Sequence, residues 1–168
     1  MSPDGPEGLA PAAVVLTQVV IPEALAAACA LDKTPVDVVP TEIGCVAVCR
    51  STGDGAPEAA AGVISSALSR TDTPVVLVVQ RDGRMSASLW HRGSETKQLS
   101  AVLALDGTPP EIEGLLLGQV TVADLPGVVT SVGVGRLRAL RMAAGVAKAN
   151  RRARRARADQ APGAGADS

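Results

Sequence analysis

Short runs of β-branched and other apolar residues constrain the fold of this chain more than any other feature of its sequence. The clearest runs occupy residues 13–20, 36–39, 43–49 and 75–79. Each run is shorter than a typical helix, and its residue types favour extended backbone. Both alternating faces of residues 43–49 are apolar, so the sequence predicts that this strand is central in the sheet, and the continuous run at 13–20 also suits a buried strand.

The segments between these runs have the residue pattern of helices. Pro22 begins an alanine-rich stretch of high helix propensity that extends to Asp32. Residues 57–68 carry apolar side chains at intervals of three and four residues, which predicts a helix with one face on the sheet. A capping box at Thr108 predicts another short helix over residues 108–117.

Asp82 and Gly83 are predicted to form the turn of a β-hairpin, because Asp-Gly favours the two-residue turns that join antiparallel strands. Residues 85–91 then alternate between the two faces of a returning strand. We expect residues 98–105 to add a third strand to this meander. Residues 121–130 are expected to form a short helix followed by a break.

The order of these elements predicts an α+β fold. We expect a single two-layer sandwich over residues 13–134, with a mixed sheet of about five or six strands and helices packed on one face. The order strand, helix, two strands, helix, strand resembles that of the ferredoxin-like plait, from which the extra meander departs. Residues 1–12 are predicted to be a disordered leader, and residues 158–168 a disordered tail.

The core must be built almost entirely from Val, Leu and Ala. Trp90 is the only aromatic residue, and Phe and Tyr are absent. The abundance of Ala, Gly, Pro and Arg is typical of coding drift in a GC-rich bacterium, which explains this bias without a functional cause. A core without large rings still offers few surfaces on which bases or flat cofactors could stack.

Cys29, Cys45 and Cys49 are predicted to be buried, reduced thiols. Cys45 and Cys49 lie on one predicted strand, where their Cα atoms would be about 13 Å apart, too far for a disulfide. This usage suggests a reducing compartment. No metal or cofactor is predicted, since the spacings match no metal site. The apolar runs are too short to span a membrane and match no signal peptide, so a cytoplasmic location is expected.

Two features are candidates for a catalytic or ligand-binding site. The glycine-rich loop at residues 51–55 precedes a helix, where backbone N–H groups can bind phosphate, although Asp54 would repel an anion. His91 is the only side chain whose ordinary pKa lies near neutral pH, so a general base would have to begin with it. The alternative function is therefore an enzyme or small-ligand-binding protein with a site near the 51–55 loop and His91.

The charge of the chain is separated along its length. Residues 1–135 hold fifteen of the seventeen Asp and Glu residues and seven of the sixteen Lys and Arg residues, a net charge of about −8. Residues 136–168 carry about +7. Residues 135–157 are predicted to form a basic amphipathic helix that docks on the domain through Leu137, Leu140, Ala144 and Ala147.

The predicted partner-binding residues are the cations of this helix: Arg138, Arg141, Lys148, Arg151, Arg152, Arg154, Arg155 and Arg157. Three interpretations are open for the segment. It could be a solvated helical tail, with or without weak folding back on the acidic domain, a contact for nucleic-acid phosphates, or a contact for an acidic protein or an anionic membrane surface. The membrane is the weakest option, because the helix has no aromatic residue to enter the interface.

The charge separation, together with the absence of a catalytic motif, favours a non-enzymatic interaction or accessory module. Its Arg-rich helix is expected to contact an anionic partner, which is either an acidic protein or a nucleic acid. A homodimer is a further expectation, because Trp90 and the apolar strands could pair through an open face or edge of the sheet.

Overall fold

The computed structural model of the protein describes residues 9–160. Most of the predicted leader and most of the predicted tail lie outside this range. Ala12 belongs to the first strand, and residues 158–160 belong to the last helix.

The described chain contains seven strands, five helices and two short 3-10 turns. The strands are β1 (Ala12–Leu16), β2 (Val36–Val39), β3 (Val46–Cys49), β4 (Val75–Arg81), β5 (Arg84–His91), β6 (Ser94–Leu99) and β7 (Val129–Thr130). The helices are α1 (Pro22–Leu31), α2 (Ala56–Ala67), α3 (Ala101–Leu105), α4 (Pro110–Leu116) and α5 (Arg136–Gln160). The 3-10 turns are Ser69–Thr71 and Val122–Asp124. We refer to β1–β7 together with α1–α4 as the body.

The predicted α+β class is confirmed, but the sheet has seven strands instead of the predicted five or six, and the prediction of a mixed sheet is wrong. All seven strands form one sheet in the order β6-β5-β4-β1-β3-β2-β7, and every neighbouring pair is antiparallel. Helix α1 connects β1 to β2, and α2 connects β3 to β4. The two strands of each pair are parallel but are not neighbours, because β3 lies between β1 and β2, and β1 lies between β3 and β4. The central order β4-β1-β3-β2 is that of the ferredoxin-like plait. The hairpin partners β5 and β6 extend it on one side, and β7 extends it on the other.

Two tight turns build the extension beyond β4. Asp82 and Gly83 have φ values of 52° and 75°, and Arg92 and Gly93 have values of 49° and 87°. Positive φ at both central residues is the requirement of a type I′ hairpin turn. The second turn has only two central residues, so β6 begins at Ser94, four residues before the predicted start of this strand at residue 98. The predicted strand over residues 98–105 is correct only to Leu99, since the residues after Ser100 form α3.

The sheet is covered on both faces. The larger core lies between the sheet and the two longer body helices, and its fully buried residues include Val15 of β1, Leu25 of α1 and Ile64 of α2. On the opposite face, Ile112 and Leu116 of α4 pack with Val14 and Val78. The prediction of helices on one face therefore describes α1 and α2, while the short α4 adds a second packed surface.

The end of the body is tied to β2 immediately before α5 begins. The predicted helix over residues 121–130 is only a three-residue 3-10 turn, followed by β7, which pairs with β2. The Ser131 hydroxyl accepts a hydrogen bond from the Val36 amide at 2.9 Å and lies 2.7 Å from the Thr34 carbonyl oxygen, to which it can donate. These contacts fix the point from which α5 starts.

Candidate partner-binding site

The last helix, α5, is the longest element of the described chain. Its 25 residues correspond to a length of about 37 Å at 1.5 Å per residue. It is rich in Ala and Arg, which have high helix propensity, and it contains no proline. Gly133, with a φ of 77°, separates it from the body. The predicted basic helix therefore exists, and it continues slightly beyond the predicted end at residue 157.

The first half of α5 packs against α1. Ala139 is completely buried, and Met142, Ala143 and Val146 are half-buried. These four residues are three, four and seven positions apart, so they lie on one side of the helix. We call them the docked face. Its partner, α1, is alanine-rich, and small side chains on both helices allow the two backbones to come close.

The prediction that Leu137 and Leu140 anchor this helix is wrong. Leu137 is 72% exposed and Leu140 is 49% exposed, while Ala144 and Ala147 are also exposed. We call these four residues the leucine stripe. The prediction assigned the interface to the two leucines, whereas the structure uses the face formed by Ala139, Met142, Ala143 and Val146.

The second half of α5 extends away from the body. Every residue from Ala147 to Gln160 is exposed, including the alanines, which corresponds to about 21 Å of helix without tertiary packing. Six of the eight predicted partner-binding residues lie in this part: Lys148, Arg151, Arg152, Arg154, Arg155 and Arg157. The other two, Arg138 and Arg141, are exposed in the docked half.

Four of these cations line one shallow groove along the helix: Lys148, Arg151, Arg152 and Arg155. Their spacing of three, four and seven residues places them on one side of α5. At about 100° per residue, Arg141 shares this side, which lies opposite the docked face. We call these five residues the basic face. Arg138, Arg154 and Arg157 point in other directions, so the structure brings together five of the eight predicted residues.

The described cations of α5 have no ion pair with the body. The ion pairs found among the described side chains join Arg50 to Asp37, and His91 and Arg92 to Asp72. None of them involves a residue of α5, although the body carries most of the acidic residues. The described side chains therefore show no ion pair of the kind expected if the tail folded back on the acidic domain.

The two parts of the alternative site lie far apart. The 51–55 loop precedes the first residue of α2, and Arg81, at the end of β4, donates a hydrogen bond to the Thr52 carbonyl at 3.3 Å. His91 is the last residue of β5, whose end pairs with the beginning of β4, and it contacts Asp72 beyond the other end of α2. The 12 residues of α2 span about 18 Å. The loop and His91 therefore do not form one site.

His91 belongs to an exposed cluster at the second hairpin turn. Its Nε2 atom lies 2.8 Å from Oδ1 of Asp72, and the Arg92 guanidinium donates to the same oxygen at 2.9 Å. The hydrogen bond from His91 and the charge of Arg92 hold the pKa of Asp72 below its usual value. The Gly93 amide also donates to Ser65 Oγ at 2.9 Å. These contacts join the hairpin to α2 and its following turn, which is a structural role.

The three cysteines are free and buried. Burial raises the pKa of Cys29 to about 12, with smaller contributions from Cys49 and Asp32. Burial, and then the charge of Glu58, raises the pKa of Cys49 to about 12 as well. For Cys45, burial and the charge of Glu23 raise the pKa. Thiols that stay protonated at neutral pH are poor nucleophiles and poor metal ligands.

One ion pair of the body was missed from the sequence. Asp37 is only 8% exposed and accepts two hydrogen bonds from Arg50, at 2.9 Å and 2.8 Å. The signal was an acidic residue inside the apolar run of β2, because a buried carboxylate requires a partner. Arg50 follows β3, the strand beside β2, so the sheet register supplies that partner. This pair is structural, since both groups are satisfied by each other.

Within residues 9–160, no three or more His, Cys, Asp or Glu residues form a group suited to hold a metal ion. The same residues contain no helix that is both long enough and apolar enough to cross a membrane. Comparison of the chain with family models, with curated proteins and with solved structures found no match.

Proposed function

We propose that this protein is a non-enzymatic interaction or accessory module that contacts an anionic partner, an acidic protein or a nucleic acid, through α5. The observation that carries the proposal is the basic face, whose cations extend from the body without an ion pair to any described carboxylate. A helix that presents only cations over this length attracts polyanions by long-range electrostatics.

The geometry of α5 supports this role. The docked face holds the first half of the helix against α1, so the free half has a defined direction instead of hanging on a flexible linker. The basic face extends from Arg141 to Arg155, over about 21 Å. This length exceeds the Debye length of about 8 Å at physiological salt, so its outer cations are largely screened from the acidic body.

The proposal can be tested with two defined polyanions, a 20-base-pair DNA duplex and a poly-glutamate peptide of similar length. Fluorescence anisotropy would measure their affinity for the full chain at several salt concentrations. If the four groove cations each neutralise one phosphate, the slope of log K against log salt is about −3.6. The affinity for the duplex then falls about 100-fold between 50 and 200 mM salt.

The decisive variant reverses three charges of the basic face, Arg151→Glu, Arg152→Glu and Arg155→Glu. A matched control reverses Arg70, Arg84 and Lys97 to Glu, since these cations are exposed on the body and the change in net charge is the same. Binding is expected to be lost only in the α5 variant. Equal loss in both variants would show that net charge alone matters, and retention of binding in the α5 variant would refute the proposal.

A further inference from the structure

The leucine stripe gives α5 a second exposed surface beside the basic face. Leu137 and Leu140, 72% and 49% exposed, are one turn apart, and Ala144 and Ala147 continue their line along the helix. At about 100° per residue, the middle of this stripe lies about 60° from the middle of the basic face. A partner on this side of α5 therefore meets apolar side chains near the body and cations farther out.

A nucleic acid would leave this stripe in water. Phosphates are contacted by cations and hydrogen-bond donors, not by leucine side chains. Proteins that bind single strands without sequence preference also use aromatic side chains for base stacking, and α5 has none. The two leucines therefore do not fit a nucleic-acid contact.

A second copy of α5 does not fit the stripe either. Arg141 lies beside Leu137 on the helix and Arg151 continues the line of the stripe, while the first carboxylate in the helix is Asp159, near its far end. Two copies that packed their stripes together would bring these cations toward one another without an acidic residue between them. Like charges at such a contact oppose association.

We propose that α5 docks an acidic amphipathic helix of another protein. This inference rests on the proposed function and specifies its partner class. The apolar side of the partner helix packs on the leucine stripe, and its carboxylates pair with the basic face. The two surfaces together extend from Leu137 to Arg155, about 27 Å, which matches a partner helix of about 18 residues. Charge complementarity selects this partner, because a helix with carboxylates beside an apolar stripe is complementary to both surfaces at once.

The leucines are expected to contribute affinity that does not depend on salt. Full burial of a leucine is worth about 1.5–3 kcal/mol, and the exposed fractions of Leu137 and Leu140 leave more than one leucine's area to be buried. Replacing both by serine is therefore expected to weaken binding of an amphipathic partner about 30-fold. The ion pairs on the basic face supply the salt-dependent part of the affinity.

The test uses the full chain and three fluorescent probes. The first is an 18-residue peptide with leucines at positions 1, 4, 8 and 11 of its sequence and glutamates at most other positions, about one partner helix in length. The second has the same composition with the leucines scattered around the helix, and the third is a 20-base-pair DNA duplex. The variants are Leu137→Ser with Leu140→Ser, and a matched control, Val102→Ser with Leu103→Ser. These two control residues are 79% and 73% exposed on α3.

The wild-type chain is expected to bind the striped peptide at least 10-fold more tightly than the scattered one. The affinity of the α5 serine variant should fall about 30-fold for the striped peptide only. The α3 variant should bind all three probes with the affinity of the wild type. Trp90 fluorescence would show that all variants are folded.

Four results would overturn the inference. Equal affinity for the two peptides, or no effect of the α5 serine variant, would leave the proposed function intact and remove the role of the stripe. Tighter binding of the duplex than of the striped peptide would make nucleic acid the partner. Self-association in light scattering that disappears in the α5 serine variant would make a second copy the occupant. Failure of the wild type to bind any of the three probes would refute both this inference and the proposed function.

Discussion

Replacing Ala139 by Asp is predicted to release the first half of α5 from the body. Ala139 is completely buried in the docked face, so a carboxylate there would be placed between α5 and α1 without a partner. Burial of an unpaired charge costs several kcal/mol. The helix can avoid this only by leaving α1.

The size of the effect is limited by the free energy that docking provides. Burial of the Ala139 methyl group contributes about 0.8 kcal/mol, and half-burial of Met142 and Val146 contributes about 1 kcal/mol each. Together these α5 side chains favour the docked state over the undocked state by about 3 kcal/mol. This free energy corresponds to a ratio of docked to undocked molecules on the order of 100. Asp at position 139 is expected to abolish this preference.

Hydrogen exchange measures the change directly. In the wild type, amides of residues 143–146 should exchange on the order of 100-fold more slowly than amides of residues 153–157, because only the former lie in the docked half. In Ala139→Asp the two groups should exchange at similar rates. Trp90 fluorescence should report an unchanged body, since Trp90 lies in β5 and packs on the larger core beside Gly62 of α2.

Leu137→Asp is the matched control for this prediction. It introduces the same carboxylate two residues earlier, at a position that is 72% exposed. An acidic residue in the first turn also interacts favourably with the helix dipole, so protection of the docked half should remain. The reasoning would be refuted if Leu137→Asp removed the protection and Ala139→Asp left it intact, because the leucines would then be the anchors.

Three further predictions concern the body. Ile64→Ala should lower the free energy of unfolding by 2–5 kcal/mol and Ile43→Ala by less than about 1 kcal/mol, because Ile64 is fully buried and Ile43 is 49% exposed; equal effects in urea titrations would contradict the core assignment. Asp37→Asn should lower the free energy of unfolding by about 1 kcal/mol, because it weakens a charged hydrogen-bond pair whose Arg50 partner is half exposed. Additive effects in a double-mutant cycle with Arg50→Ala would contradict this pairing. Burial raises the folded pKa of Cys29 and Cys49 to about 12, above the unfolded value, so their stabilisation is fully present below pH 9 and is lost as the pH rises toward 12. The free energy of unfolding, measured by urea unfolding, is expected to fall by roughly 1 kcal/mol per pH unit for each thiol. An equally steep fall in a Cys29→Ala/Cys49→Ala variant would contradict this cause.

Most of the body could be predicted from local sequence signals. The apolar runs correctly located β2 and β4, and Asp82-Gly83 located the first hairpin because few other residue pairs adopt two successive positive φ values. The helical spacing of residues 57–68 likewise predicted α2. These elements are specified by patterns contained within a few residues, which a sequence displays directly.

The elements that were mispredicted depend on distant contacts. The run AVLAL at residues 101–105 suits a strand or a helix, and its choice of helix follows from its place after the edge strand β6, where Ala101, Ala104 and Leu105 pack on the second core. The two residues of β7 form a strand only because β2 lies beside them. The antiparallel sheet was also missed, since strand order arises from how the crossovers are threaded and not from any single strand.

The charge of the candidate site could be read from the sequence, but its orientation could not. Both the leucines and the residues of the docked face recur at helical spacing, so two faces of α5 competed for the interface with α1. In the structure, the face that contains the completely buried Ala139 packs on the alanine-rich α1. Apolar size alone therefore predicted the wrong side of the helix.

The choice of docked face determines which chemistry α5 presents to a partner. With Ala139 and Met142 inside, the leucines lie on the exposed side next to the basic face. A partner that satisfies both surfaces must combine apolar groups with carboxylates in a fixed arrangement, which a folded or folding helix can provide and a phosphate backbone cannot. If α5 binds the proposed acidic helix, its packing on the body converts a nonspecific attraction for anions into a requirement for shape and sequence.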